Sequence, residues 1–376
     1  MDRRRYLATL GATAVLGGCA ERSETGSGSA GSDDTATTDG VATETLATGL
    51  EIPWGVGYRD GTLYLTERPG RIVRLIDGSV EPVVESVDGV RHVGEGGLLG
   101  LAFHPSEPYA YTHQTYEADG GLANRLVRHD LTDGWAAEPL LTGIPGAHIH
   151  DGGRLLVHDD ALYMTCGDAS AAPSAQDSDV LAGSVLRVTL DGEPHPDNPF
   201  DSPVFSYGHR NPQGLAVRDG RLYSTEHGPS VADEINVLRA GENYGWPEAR
   251  GPSDDDRFTD PLAHYSPTIA PASATFYDGP IEAWRGDFFF GTLKAEHVRR
   301  VRFGGSESRR DSNGSDDEPR GRDAVVEQER LFEGAYGRIR TVFTGPDGHL
   351  HAVTSNRDGR GSPVGADDRL LRFTPA

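Results

Sequence analysis

Two histidines stand two residues apart in the segment HIHDGGRL, as His148 and His150. An imidazole titrates near neutrality, so it can take a proton from a hydroxyl group without being permanently charged. On a strand the same spacing would turn both rings to one side and begin a metal site, although no third ligand stands nearby; a loop histidine can also be merely solvated. A second concentration of polar groups spans residues 207–247. There His209, Arg210 and Asn211 lead into the turn-prone Pro212, and Glu226-His227-Gly228-Pro229 leaves several backbone carbonyls free to point at a ligand. Hard oxygen donors of this kind suit calcium. Farther along, Arg338 and Arg340 in the segment GRIRT share one face of a strand, and guanidinium forks match carboxylates. Lys294 is the only lysine among 35 basic residues.

Such groups need a scaffold that brings distant segments to one place. The chain repeats a phrase: a short apolar strand, an Asp-containing turn, a second apolar strand bearing an aromatic residue or His, then a polar loop. It occurs at Trp54-GVGYRDGTLYLTERPG, Arg154-LLVHDDALYMTCGD, Leu215-AVRDGRLYSTEHG and Val342-FTGPDGHLHAVTSN. Degenerate copies lie at Gly97-LLGLAFHP with Tyr109-AYTHQTY, and at Asp287-FFFGTL with Val298-RRVRF. In the third copy residues 214–217 read as one strand, Arg218-Asp219-Gly220 as its turn and residues 221–225 as the return. Period-two strands, Gly and Pro punctuation, no long amphipathic helix and a repeat of about 50 residues predict an all-β fold, a six-bladed β-propeller over residues 46–376. Loops from several blades then converge at one mouth of the central channel, where a site belongs. Residues 304–323, polar, charged and rich in Gly and Ser, read as a disordered insertion between blades.

Residues 1–19 read as an export signal. Arg3-Arg4-Arg5-Tyr6-Leu7 fits the twin-arginine pattern, and a short apolar run ends in Leu16-Gly17-Gly18-Cys19, which resembles a lipoprotein box. Cys19 would then carry a lipid that anchors the protein on the outer face of the cytoplasmic membrane; a signal cut without lipidation is the other reading. Residues 20–45, rich in Ser, Gly, Thr, Asp and Glu, read as a flexible tether. Cys166 is the one cysteine beyond Cys19, so no intramolecular disulfide forms, and in LYMTC it reads as a small buried hydrophobe. Fifty-eight acidic residues against 35 basic ones give a formal net charge of −23, spread along the chain. That charge argues against nucleic acid and anionic lipid as partners. It fits a protein kept soluble in concentrated salt, where screening removes most self-repulsion; a GC-rich genome would also favour arginine over lysine.

GHRNPQGLA, EHGP, DEIN and NYGWP, in that order and at fitting distances, resemble the soluble pyrroloquinoline quinone (PQQ) dependent sugar dehydrogenases, and weaker similarity runs from about Leu46 to the C-terminus. The resemblance implies oxidation of the C1 hydroxyl of an aldose to its lactone, with PQQ and calcium as cofactors and an external electron acceptor as partner. It implies His150 as general base, Asp168 as the residue that orients it, and Arg210 with Asn211 as contacts to the quinone. Arg210 would stabilise charge developing on the acceptor carbonyl. Thr292, Leu293 and Lys294, and likewise Arg338, Ile339 and Arg340, correspond to quinone-binding positions, so cations from separate blades would grip the three carboxylates of the cofactor. The carbonyls of Gly228 and Pro229 would hold the calcium that bridges to the quinone; Glu234 and the Tyr244 carbonyl would hold a structural calcium.

Two positions depart from that pattern. Glu95, in GEGGLLG, replaces a glutamine at a cofactor-contacting position, and a carboxylate beside an anionic quinone is unfavourable unless it is protonated or paired with a cation. Ile149 stands where some members carry an acid before the histidine, so a second carboxylate must come from elsewhere. The departures leave two further readings: a propeller lipoprotein that binds carbohydrate or protein without turnover, and a calcium-dependent lactonase that uses metal-bound water.

Overall fold

The computed structural model describes residues 38, 40–304 and 324–376. The expected export signal, residues 20–37 and 39 of the expected tether, and residues 305–323 of the expected insertion lie outside them. The described chain begins with β1 (Val41–Ala47). The first blade follows as β2 (Pro53–Arg59), β3 (Thr62–Glu67), β4 (Ile72–Ile76) and β5 (Ser79–Val84). The second is β6 (Leu98–Phe103), β7 (Tyr109–Ala118), β8 (Gly121–Asp130) and β9 (Ala136–Pro145). The third is β10 (Leu155–His158), β11 (Ala161–Cys166), β12 (Ser184–Thr189) and β13 (Val204–Tyr207). The fourth is β14 (Pro212–Arg218), β15 (Arg221–Glu226), β16 (Asp233–Leu238) and β17 (Ala263–Tyr265). The fifth is β18 (Pro271–Phe276), β19 (Phe288–Thr292), β20 (Val298–Phe303) and β21 (Val325–Leu331). The sixth is β22 (Ile339–Thr344), β23 (Leu350–Thr354) and β24 (Leu370–Pro375), completed by β1. Six four-stranded antiparallel sheets make a six-bladed β-propeller.

Local chemistry explains most of these elements. The turn between β14 and β15 is Asp219-Gly220 with φ of 50° and 70°, the left-handed pair that a two-residue hairpin turn requires. Residues 41–45, read from sequence as tether, are instead strand. β1 lies against β24 with Val41 opposite Pro375, and Val41, Thr43 and Ala47 are buried while Glu44 and Thr45 are exposed. An outermost strand with one covered face can be this polar, which hides it in the sequence. The copy at residues 287–303 proves to be β19 and β20, the second and third strands of its blade. Its inner strand, β18, is PASATF without the repeated phrase, and the 3-10 turn Glu282–Trp284 lies between it and β19.

The core is a set of apolar layers between blades. Tyr223 and Ile235 of the fourth blade pack with Phe288, Phe290 and Val301 of the fifth, and Phe289 with Val342 and Phe373 of the sixth. Each fully buried side chain of this size contributes roughly 1.5–3 kcal/mol. Cys166, buried among Leu162, Met164 and Leu186, is the small hydrophobe its context suggests. The inner strands approach backbone to backbone. A Cβ on Gly55 would lie 2.5 Å from the Leu99 carbonyl oxygen, and one on Gly214 would lie 2.6 Å from that of Ala272.

Five sheets are simple meanders from the inner strand outward and the sixth takes β1 as its outer strand, so in each the second-to-third turn and the crossing to the next blade fall at one end. Apart from Tyr244, every site residue expected from the sequence lies in those connections or at the strand ends bordering them. Tyr244 returns there because the long excursion between β16 and β17 doubles back, pairing Asn243 with Tyr207.

Candidate active site

His150 lies in the crossing from β9 to β10, with φ of 66°, not on a strand. The imagined pairing with His148 on one face therefore fails: His148 and Ile149 are exposed while His150 is half-buried. Among the described residues no group of three or more His, Cys, Asp or Glu is placed to hold a metal. Nδ1 of His150 is 2.7 Å from Oδ1 of the buried Asp168. A carboxylate only accepts, so Nδ1 carries the proton and Nε2 is left as the acceptor. Asp168 also receives the Ser170 amide at 2.8 Å and Nε1–H of Trp246 at 2.8 Å, while its own amide donates to the Arg210 carbonyl at 2.8 Å. The sequence-expected base and its orienting acid are thus joined, and a tryptophan from NYGWP fixes the acid.

The GHRN segment alternates structural and site residues. His209 is fully buried, its Nδ1 2.8 Å from Glu226 Oε2, its Nε2 3.0 Å from Ser206 Oγ, and its ring stacked on Tyr244 at 4.7 Å. Oε1 of Glu226 takes the Arg210 amide, which aims the Arg210 side chain at the mouth. Arg210 Nη1 donates to the carbonyls of Gly228 at 2.7 Å and His227 at 3.1 Å, and its guanidinium lies 5.3 Å from the Trp246 ring centre. Burial lowers its pKa, opposed by Asp168, Glu226 and other acids.

Arg210 therefore already engages the Gly228 carbonyl that the resemblance gave to calcium. The four expected metal positions, Gly228, Pro229, Glu234 and Tyr244, nevertheless line one cavity of about 10 Å³, together with Glu226 and Trp246. That volume holds about one water-sized or ion-sized occupant. They converge as one place where two were expected. Burial, then the neighbouring Glu226, pushes the Glu234 carboxyl up to about 8. Its oxygens accept from the Gly251 amide at 2.9 Å and Asn236 Nδ2 at 3.1 Å.

Cations gather along the same mouth. Arg338 donates from Nε and Nη2 to Asp358 Oδ2 at 3.1 and 2.7 Å and from Nη1 to the Leu293 carbonyl at 2.8 Å. Arg340 Nη1 donates to Gln213 Oε1 at 2.5 Å, and its Nη2 lies 3.8 Å from the same Asp358 oxygen. The two arginines do share a face, and Asp358 holds both. Arg154 donates to the Gln213 carbonyl at 2.9 Å and stacks over Trp54 at 4.0 Å. Burial brings Arg154 and Arg340 down to about 9. Lys294 is exposed and makes no ion pair with a described residue.

Thr292 and Ile339 contribute otherwise than expected. The Thr292 hydroxyl closes the turn to His297, and Ile339 packs in the apolar layer behind the sixth blade, so neither side chain faces a ligand; Leu293 is buried and offers its carbonyl to Arg338.

Glu95 is not isolated. Its Oε2 accepts the His150 amide at 2.9 Å and Asn211 Nδ2 at 3.4 Å, and its Oε1 accepts Arg360 Nη1 at 2.6 Å. Burial alone would raise its pKa, but the His150 amide, Arg360 and His227 outweigh it and hold the carboxyl at about 2. Asn211 also accepts the Gly152 amide at 3.1 Å.

Sequence reasoning passed over Asp358, Arg360, Trp246, Gln213 and Arg154 as site residues. Asp358 and Arg360 had a usable signal: they occupy, in the sixth repeat, the polar loop that carries Asp168 in the third. Four buried nitrogens in this region have no partner among the described residues: Nη2 of Arg154, Nε of Arg210, Nε of Arg340 and Nε2 of His227.

Fold and site define a class: a six-bladed propeller whose mouth joins a His–Asp pair to a cluster of buried arginines. The glucose/sorbosone dehydrogenase family model matches residues 50–371, and the chain belongs to that family. It is 30% identical to the aldose sugar dehydrogenase YliI of Escherichia coli over 85% of this chain and 91% of that one. It is 36% identical to quinoprotein glucose dehydrogenase B of Acinetobacter calcoaceticus over 57% of this chain and 52% of that one. The PQQ-bound aldose sugar dehydrogenase of Streptomyces coelicolor superposes with a TM-score of 0.78 at 36% identity, covering 90% of this chain and 99% of that one.

Proposed function

We propose that the protein is a PQQ- and calcium-dependent dehydrogenase that oxidises the C1 hydroxyl of an aldose to its lactone and passes the electrons to an external acceptor. The observation that carries this reading is the His150–Asp168 pair at a mouth where buried arginine nitrogens lack partners among the described residues. A polycarboxylate fits that mouth: Arg154 and Arg340 lose basicity through burial, and an anion would restore it. Arg210, Asn211, Lys294, Arg338 and Arg340 would hold PQQ, which when bound supplies a two-electron acceptor for hydride. In this reading calcium would take the small cavity lined by Glu226, Pro229, Glu234 and Tyr244 beside Arg210 and Arg250, where a cation would relieve the crowded Glu226 and Glu234.

The chain's own part is positioning and proton transfer. Asp168 fixes the His150 ring so that Nε2 accepts the C1 hydroxyl proton, and it stabilises the imidazolium that results. Arg210, held by Gly228 and Trp246, keeps a positive charge where negative charge develops. A hollow of about 630 Å³ walled by Val90, His92, Leu122 and His148 adjoins the base loop and leaves room for a sugar to approach.

Reconstitution tests the reading. Apoprotein given PQQ and calcium in high salt should reduce a redox dye with an aldose, and His150→Ala should abolish the reduction. Lactone hydrolysis without quinone, or dye reduction undiminished in His150→Ala, overturns it. Export through the twin-arginine signal and anchoring by lipid at Cys19 are proposed alongside it. Cys19→Ala should move the protein from the membrane fraction to the soluble one, and unchanged partitioning would refute the anchor.

A further inference from the structure

We propose that Glu95 is a positioning residue for His150, and that Arg360 from the sixth blade is the counter-ion that makes a carboxylate tolerable there; this rests on reading His150 as the base. Glu95 grips the base loop on both sides of Ile149. Its amide donates to the His148 carbonyl at 2.8 Å and its carboxylate accepts the His150 amide at 2.9 Å. His150 has φ of 66°, a region that residues other than glycine occupy only when their surroundings hold them. The same carboxylate oxygen accepts from Asn211, so one side chain fixes the base and a neighbouring polar contact together. The acid missing at Ile149 is in effect supplied from the crossing between β5 and β6.

Arg360 belongs to the connection between β23 and β24, where one turn of chain sorts the charges of the mouth. Asp358 takes the arginines Arg338 and Arg340, and Arg360, whose amide donates to Asp358 Oδ1 at 3.0 Å, takes Glu95. The Arg360 side chain is 52% exposed and that of Glu95 17%, so the cation can be removed without opening a cavity. The other charged or titratable groups around the pair are Asp151 and Asp168 near the third blade, Arg210 and His227 of the fourth, Arg68 of the first and Arg340 of the sixth. All of them persist in the variants below, so differences between variants report on Glu95 and Arg360.

The test exploits sign. Neutralising Glu95 removes an anion from beside His150 and makes the imidazole a weaker base; neutralising Arg360 leaves the anion uncompensated and makes it a stronger one. In cofactor-free, histidine-labelled protein, with the His150 signal assigned by His150→Gln, NMR titration should show a lower His150 pKa in Glu95→Gln and a higher one in Arg360→Gln. Each shift should be about half a pH unit or more. Arg360→Gln should add less in the Glu95→Gln background than in wild type, because the exposed guanidinium no longer has the carboxylate to hold it near the base, and Arg360→Lys should restore the wild-type value. In turnover the acid limb of kcat should move with the titration, and Glu95→Ala should lower kcat about tenfold or more with little change in KM. Shifts of the same sign, no shift, or an Arg360→Gln shift undiminished by Glu95→Gln overturn the proposal, because a merely structural contact moves neither value in opposite directions. The titration needs neither quinone nor sugar, so it stands or falls separately from the dehydrogenase reading.

Discussion

Replacing Asp168 by asparagine tests the proposed base where the structure leaves least freedom. Three N–H donors converge on two carboxylate oxygens: Nδ1 of His150 at 2.7 Å and the Ser170 amide at 2.8 Å on Oδ1, and Nε1 of Trp246 at 2.8 Å on Oδ2. Asparagine has one acceptor oxygen and an amide that only donates, so at least one of the three must face another N–H. If the oxygen stays toward His150, the amide meets Trp246 and the acid's anchor is lost. If the amide turns to His150, the imidazole keeps its proton on Nε2, the wrong atom for accepting one. A hydrogen bond to a charged group contributes about 1.5–3 kcal/mol, and about 1.4 kcal/mol is tenfold in rate. We therefore expect kcat to fall at least about tenfold, and on the order of 10⁴-fold if the tautomer switches, as for the buried aspartate of Ser-His-Asp triads. The measurement is steady-state dye reduction at saturating aldose by reconstituted protein, with thermal melts to show that the fold is intact. A folded variant whose kcat stays within about threefold of wild type would show that Asp168 merely caps its turn.

Lys294→Ala should leave the melting temperature unchanged, since the ammonium has no ion pair with a described residue to break, yet weaken PQQ binding about tenfold for one lost charged contact; fluorescence titration with unaltered affinity would remove Lys294 from the site. Asp151 is held up to about 6 from an ordinary 3.8 by burial, and its Oδ2 has no partner among the described residues. The folded state therefore binds more protons than the unfolded one between these values, and stability is lost as pH rises through them. Asp151→Asn keeps the Oδ1 bonds from Asn124 and Ala147 and should flatten that dependence, gaining at most about 3 kcal/mol at pH 8. Melts from pH 4 to 8 decide it, and a variant less stable than wild type at pH 8 refutes it. Calcium should raise the melting temperature by binding the folded state, and more so as pH approaches 8, because it must displace the proton that burial keeps on Glu234. The rise should vanish in Glu234→Gln; an equal rise there would place the ion elsewhere.

The parts of the fold legible in the chain are those written in local terms. The β14–β15 hairpin follows from Asp219-Gly220 and alternating burial, and the same phrase marks the first, third and sixth blades. β1 and β18 escaped, the first because its partner β24 lies more than 300 residues away, the second because small residues carry no strand period. Residue types at the site were legible for the same reason: His150, Asp168 and Arg210 stand in loops whose flanking strands are plain.

Partner choice was not. Nothing near Arg338 and Arg340 announces that Asp358 holds both, nothing near Glu95 names Arg360, and nothing near Gly228 tells that Arg210 takes its carbonyl. The chain alone determined the architecture, the end of the channel where chemistry collects, and the stock of acids and bases brought there, because periodicity and turn chemistry act over a few residues. Only the closed ring decided which charges neutralise one another and which nitrogens are left over. Those outcomes depend on distances of a few ångströms between loops of different blades, and such distances exist only once β1 has joined β24.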